Sequence, residues 1–191
     1  MIYMYKIFWS CNNEPQTDVF FVERANDERF FERVVKPKLQ QRYNVIIIHT
    51  YAERKDKYKR INAFLQSVAS LKAEYIFVTD INNSPCITAK KEEIRNRIRD
   101  IDANRILVVV RGIESWYFAG LDNIRSKKLK IRRNFENTNN LTKEQFKALI
   151  PKSFDSEIDF MIEILNLFSI EIAKNKNDSF KYFLEKFNIQ A

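Results

Sequence analysis

The sequence predicts an α/β fold: a parallel four-stranded sheet sandwiched by helices, with a helical C-terminal extension. Three observations carry this. Short β-branched runs alternate with longer segments of helical periodicity. The run at residues 44–49 (NVIIIH) is β-branched and continuous, as a strand covered on both faces should be. Their order, β-α-β-α-β-α-β, implies parallel strands joined by crossovers.

The first strand is the run at residues 19–22 (VFFV), which ends at Glu23. Asn26 or Asp27 can cap the next segment, DERFFERVV, in which Phe30, Phe31 and Val34 fall at helical spacing. Pro37 bends or ends that helix. Residues 44–49 (NVIIIH) form a second strand, and residues 57–71 place Tyr58, Ile61, Leu65, Val68 and Leu71 on one helical stripe. Residues 74–79 (EYIFVT) form a third strand ending at Asp80. A charged helix over 88–101 turns Ile94, Ile98 and Ile101 inward, and residues 105–110 (RILVVV) are the fourth strand. Residues 3–9 add a further strand candidate with no assigned place in the sheet.

Beyond the fourth strand, residues 113–121 read as a helix, and three more are expected over 141–150, 155–173 and 179–187. The helix over 155–173 is apolar around much of its circumference, so it is expected either between the sheet and its neighbours or in a contact between subunits. Residues 1–133 are assigned to the α/β domain. Residues 134–191 are assigned to the extension, packed on it as one compact unit.

Composition narrows the function. The 191 residues are 45% hydrophobic and 30% charged, which fits a globular chain. No apolar stretch approaches the roughly 20 residues of a membrane span, and the N-terminus does not read as a signal peptide. Two cysteines, Cys11 and Cys86, are too few for a disulfide framework, so a cytoplasmic location is expected. With two glycines, neither a Walker A loop nor a dinucleotide-binding loop can be built. With His49 as the only histidine, multi-histidine metal centres are excluded. The net charge of +8 fits either a polyanionic partner, nucleic acid above all, or a surface that keeps the chain soluble.

In an open parallel sheet, ligands collect beyond the carboxyl ends of the strands where strand order reverses. Glu23 follows the first strand and Asp80 the third. If the order is 2-1-3-4, the two carboxylates sit side by side at that point. Such a pair persists with a cation between them or one carboxyl protonated, and oxygen-only ligands suit Mg²⁺ or Mn²⁺. The plainer alternatives are a helix-opening acid for Glu23 and a cap of the INNSP turn for Asp80.

FFVE, then a helix, then a strand ending in Asp-x-Asn (VTDIN) resembles the Toprim domain of topoisomerases, primases and OLD-family nucleases. The resemblance covers roughly residues 19–122. Glu23 matches the family's glutamate, and Asp80 the first aspartate of its Asp-x-Asp. RGIESWYFAG resembles a Glu-x-Trp segment of compact Toprim-like proteins found among bacterial and archaeal defence genes, through Glu114 and Trp116. Two positions depart from the pattern. Arg24 stands where the family usually has glycine, and Asn82 replaces the second aspartate. The resemblance implies a Rossmann-like sheet and Mg²⁺- or Mn²⁺-dependent, nuclease-like phosphodiester hydrolysis on DNA or RNA. Glu23 and Asp80 would be catalytic, and Glu23, Asp80, Asn82 and Glu114 would ligate the metal. The two departures keep open a catalytically inactive nucleic-acid or nucleotide binding module, and the apolar C-terminal helices keep open a subunit of a larger complex or a homodimer.

Each remaining candidate has two readings. Asn82 is a ligand or a turn residue. Glu114 is a ligand or a helix cap. Trp116 and Phe118 suit the core better than base stacking. Asp100 and Asp102 fall at a helix end, where a turn is expected. Lys90 and Lys91 meet a phosphate or simply water. Arg125, Lys127, Lys128, Lys130, Arg132 and Arg133 place six positive charges in nine residues, which either track a phosphate backbone or form a solvated face.

Overall fold

The computed structural model describes residues 17–190 apart from 41, 53 and 54. The strand candidate at 3–9 and Cys11 lie outside the described residues. Strands β1 (Thr17–Val22), β2 (Val45–Thr50), β3 (Glu74–Asp80) and β4 (Ile106–Val109) form one all-parallel sheet in the order β2-β1-β3-β4. β1 and β3 are therefore central and adjacent, with Phe21 level with Phe77.

Alternate residues of β1, β3 and β4 feed two cores, whereas the edge strand β2, expected to be covered on both faces, gives Ile46 and Ile48 to one core and leaves Val45 and Ile47 exposed. Val19, Phe21, Phe77, Ile106 and Val108 pack against α3 (Lys57–Ser70) and α4 (Ile87–Arg97) through Ile61, Leu65, Val68 and Ile94. Phe20, Val22, Ile76, Val78, Leu107 and Val109 face the larger core on the other side. The helices that supply it are α1 (Ala25–Phe30), α5 (Glu114–Ala119), α8 (Glu157–Asn166), α9 (Ile170–Lys176) and α10 (Asp178–Lys186). This core is built on aromatic rings. Trp116 lies 5.7 Å from Phe30, 5.1 Å from Phe180 and 5.4 Å from Phe183, centroid to centroid. One continuous apolar cluster thus joins the sheet to the C-terminal helices, and α8 buries Phe160, Met161 and Ile164 in it.

Three helices differ from their sequence periodicity. The first opens at Ala25, widens into a π-helical turn over Phe31–Val35, and continues as α2 (Lys36–Leu39). Pro37 falls in the first turn of α2, where a missing N–H is tolerated, so it bends the helix rather than ending it. The charged helix α4 stops at Arg97, although Ile98 and Ile101 stay buried. The helix expected over 155–173 is broken between α8 and α9. There the Ser169 amide donates to Gly120 O (3.1 Å), and the Ser169 hydroxyl caps α9 by accepting from Ile172 N–H (3.4 Å). α6 (Asn123–Lys128) carries the first half of the basic run, and α7 (Lys143–Ala148) follows the polar stretch beyond it.

A buried polar hub locks these helices together. Asn177, 1% exposed, donates to Ser115 Oγ (3.3 Å) and Thr138 Oγ1 (3.0 Å) and accepts from Phe180 N–H (3.0 Å) and Ser179 Oγ (2.8 Å). Trp116 Nε1 donates to the same Ser179 hydroxyl (2.8 Å). Truncating the hub leaves several buried groups without partners, so Asn177→Ala should destabilise the fold by about 1–3 kcal/mol. Urea denaturation of the two proteins measures this, and a change no larger than that of a surface substitution would show that the hub does not hold the helical layer.

Candidate functional site

The topology creates the site. The chain leaves β1 for one edge of the sheet and β3 for the other, so the carboxyl ends of these two strands border the crevice where strand order reverses. Glu23 is the first residue beyond β1, and Asp80 is the last of β3. They meet there. Glu23 Oε2 accepts the backbone N–H of Asp80 at 3.0 Å, tying the two strand ends together.

Two further carboxylates join them. Asp27, on the first turn of α1, is buried, and its Oδ2 accepts from Arg24 N–H (2.9 Å). Glu114, at the start of α5, is 5% exposed. Gly112 makes room for it. With φ at +95° this residue occupies a backbone region that side chains rarely adopt, and a Cβ here would lie 2.9 Å from Glu114 Oε2 and 3.7 Å from Asp80 Oδ2. Both oxygens therefore border the same small space. Lys143 of α7 reaches in from the helical layer, its Nζ 3.6 Å from Glu114 Oε1.

Crowding like charges in a partly dry crevice raises their proton affinity. Burial, then Asp27, Glu23 and Glu114, push the Asp80 carboxyl up to about 8. Burial, then Glu23 and Glu114, push Asp27 up to about 7 against the lowering effect of the Arg24 amide. Asp80 Oδ1 is buried and receives no hydrogen bond.

Asp27 is the site residue that the sequence argument misses, because its capping role accounts for it locally. A usable signal was present: Asp27 stands four residues after Glu23, on the turn that opens directly from the strand end. Asn82 is exposed, has φ of +48°, and turns its Nδ2 back to Asp80 O (3.4 Å), so it makes the turn after β3. Trp116 and Phe118 are core residues. Asp102 Oδ1 accepts from Asn104 N–H (2.8 Å) in a turn, as expected from its position. His49 stacks on Phe64 with centroids 5.2 Å apart. Cys86 is a free thiol at the start of α4.

The basic run lies elsewhere. Arg125 pairs with Asp122, Arg133 sits over the Phe135 ring, and Leu129 and Ile131 are buried between the charges. None of its six cations lines the crevice.

Two clefts open at the carboxyl edge. One, of about 570 Å³, is lined by Asp27, Asp80, Glu114, Arg24 and Lys143. The other, of about 480 Å³, is lined by Glu23, Lys57, Tyr58, Thr79, Lys90 and Arg97. Residues 82–85 line both and form the partition between them.

Among the described residues, no group of three or more His, Cys, Asp or Glu side chains is arranged so that it could hold a metal ion. The donor set nevertheless suits a hard divalent cation: clustered carboxylate oxygens, one of them buried without a hydrogen-bond donor. No helix among the described residues is long and apolar enough to cross a membrane. No family model matches the chain, and no match to it was found among curated proteins or solved structures.

The raised carboxyls make the stability of the protein sensitive to pH. An unfolded aspartate loses its proton near 3.8, whereas Asp80 in the fold keeps it until about 8. The folded state binds more protons throughout that window, so this contribution to stability falls as pH rises from about 4 to about 8. In EDTA the protein should melt higher at pH 6 than at pH 8. Asp80→Asn should flatten that difference and raise the melting temperature at pH 8, each kcal/mol gained being worth about 2–4 °C at this chain length. Parallel pH slopes for the two proteins would remove Asp80 from the proton-holding cluster.

Proposed function

We propose that this protein is a Toprim-like, Mg²⁺- or Mn²⁺-dependent enzyme that hydrolyses phosphodiester bonds in nucleic acid. The observation that carries the reading is the buried Asp80 oxygen without a donor, set among three other carboxylates at the strand-order reversal. Repulsion within such a group is relieved by protons or by a cation, and a buried acceptor with no hydrogen bond is costly unless something fills it.

Asp80, Glu114 and Asp27 would hold the cation from the acidic cleft, with Glu23 in the neighbouring cleft tied to the Asp80 amide. When bound, the ion supplies Lewis-acid activation of the phosphodiester and of the attacking water. The protein's own groups do the rest. Glu23 uses Oε2 to fix the Asp80 backbone, and its Oε1 would take the proton of the attacking water. Lys143 offers a positive charge for the phosphate as it leaves Glu114. Asn82 ties the turn through its Nδ2 and belongs to the wall between the two clefts.

A second reading is a binding module without catalysis. It is favoured by the Lys143–Glu114 pair, which already neutralises part of the cluster, and by the engagement of the Asn82 side chain in its own turn.

Two variants separate these readings. Asp80→Asn should lower Mn²⁺ affinity in calorimetry by at least tenfold and abolish Mn²⁺-dependent cleavage of a labelled oligonucleotide, with far-ultraviolet circular dichroism unchanged. Wild-type protein that takes up no Mn²⁺ and cuts nothing would leave the binding module. Asn82→Asp adds a carboxylate at an exposed left-handed position that Asp tolerates. It should tighten Mn²⁺ binding and raise the melting temperature with metal, yet lower it in EDTA. The same sign of change in both conditions would show that residue 82 stands outside the ligand set.

A further inference from the structure

The cleft on the far side of the 82–85 partition differs from the acidic one, since cations outnumber the carboxylates Glu23 and Glu93 in its lining. Three cations from two helices line it: Lys57 from the first turn of α3, and Lys90 and Arg97 from one face of α4. Lys90 is the unusual member. Its side chain is only 7% exposed, yet it borders an open cleft. Desolvating an ammonium is costly, and Glu93 is its partner, with Oε2 3.2 Å from the Lys90 Nζ.

That carboxylate is shared. Glu93 Oε2 also accepts from Ser84 Oγ (3.1 Å), and Glu93 Oε1 lies 3.2 Å from Arg97. One negative charge thus serves two positive ones. Arg97 is held further by Tyr58, donating to its hydroxyl (2.9 Å) with the guanidinium 5.4 Å from the ring centroid. Lys57 sits 5.2 Å from the same ring and forms no ion pair among the described residues. Asp56, the residue before α3, makes no side-chain cap, so the first amides of this 14-residue helix keep their positive end toward the same edge of the sheet. The unmet demand on this surface is for an anion with several acceptor oxygens.

We propose that this cleft is a phosphate subsite, in which Lys57, Lys90 and Arg97 hold the backbone of a nucleic-acid strand beside Glu23. The phosphate chemistry rests on the cleft alone. Its assignment to nucleic acid rests on the phosphodiesterase reading above and on Glu23, which lines this cleft while bonded to Asp80 of the other. A strand seated here leads across the partition toward the acidic cluster. The subsite holds substrate and takes no part in bond breaking.

The test uses the full chain in EDTA and a fluorescein-labelled twelve-residue oligothymidylate. Affinity is measured as a function of salt for wild type and for Lys57→Gln/Arg97→Gln. Both positions are partly exposed, so the fold survives, whereas Lys90 is too buried to be a fair probe. Two lost phosphate contacts should lower the slope of log affinity against log salt by about 1.4, at about 0.7 per contact on a single strand. Affinity at low salt should fall at least tenfold. An unchanged slope would overturn the subsite, as would a wild type that binds neither the oligonucleotide nor inorganic phosphate. Inorganic phosphate binding lost in the variant, with no oligonucleotide binding in either protein, would overturn the nucleic-acid assignment. Mn²⁺ affinity and cleavage are followed in parallel. A lowered slope without metal binding sinks the nuclease reading and leaves the subsite, and metal-dependent cleavage with an unchanged slope does the reverse.

Discussion

Parallel strands need apolar cover on both faces, and β1 and β3, at the centre of the sheet, need it most. Phe20 and Val22 point into one core while Val19 and Phe21 point into the other, and β3 repeats the pattern with Ile76 and Val78 against Phe77. Helices must therefore leave these two strands on both sides. That requirement opens the crevice between their carboxyl ends and brings Glu23 to the Asp80 amide. Everything else at the carboxyl edge is arranged around this pairing.

The C-terminal helices complete the cover and also shape the chemistry. They bury the aromatic cluster around Trp116, and through Asn177 they hold Ser115, whose hydroxyl donates to Gly112 O at 2.9 Å. Gly112 and Glu114 stand in the same turn, so the packing of the helical layer and the geometry of the acidic cleft are mechanically joined. Lys143 comes from that layer as well. A division of the chain at residue 133 therefore marks a change of sequence pattern and no boundary in the core, because the apolar cluster runs through it.

Charge is sorted across a few residues of loop. The acidic cleft keeps protons it would otherwise lose, since burial and mutual repulsion disfavour ionisation of Asp27 and Asp80. The neighbouring cleft keeps two cations on one carboxylate. Both arrangements carry an electrostatic cost, and both costs fall when oppositely charged groups are delivered together, as a divalent cation and a phosphate are. The basic run at 125–133, prominent in the sequence, is dispersed by contrast. Its apolar residues turn inward, and Arg125 is spent on Asp122.

The four strands, their alternation with helices, and the positions of Glu23 and Asp80 at strand ends are legible in the linear chain, because period and β-branched content are local properties that survive into the fold. The sequence also marked Glu114, through the segment that follows the last strand. What tertiary structure decided is which distant residues share a space. Asp27 looked like a cap, and it is one, but burial beside three other acids changes its chemistry. Lys57 and Arg97, forty residues apart, carry no linear signal of the ring and cleft they share. The break between α8 and α9 depends on Gly120, and the buried hub on Asn177, through hydrogen bonds that span long stretches of chain. Local pattern specifies elements. Desolvation, charge crowding and shared hydrogen bonds belong to the packed molecule, and they convert residues with ordinary local roles into a site.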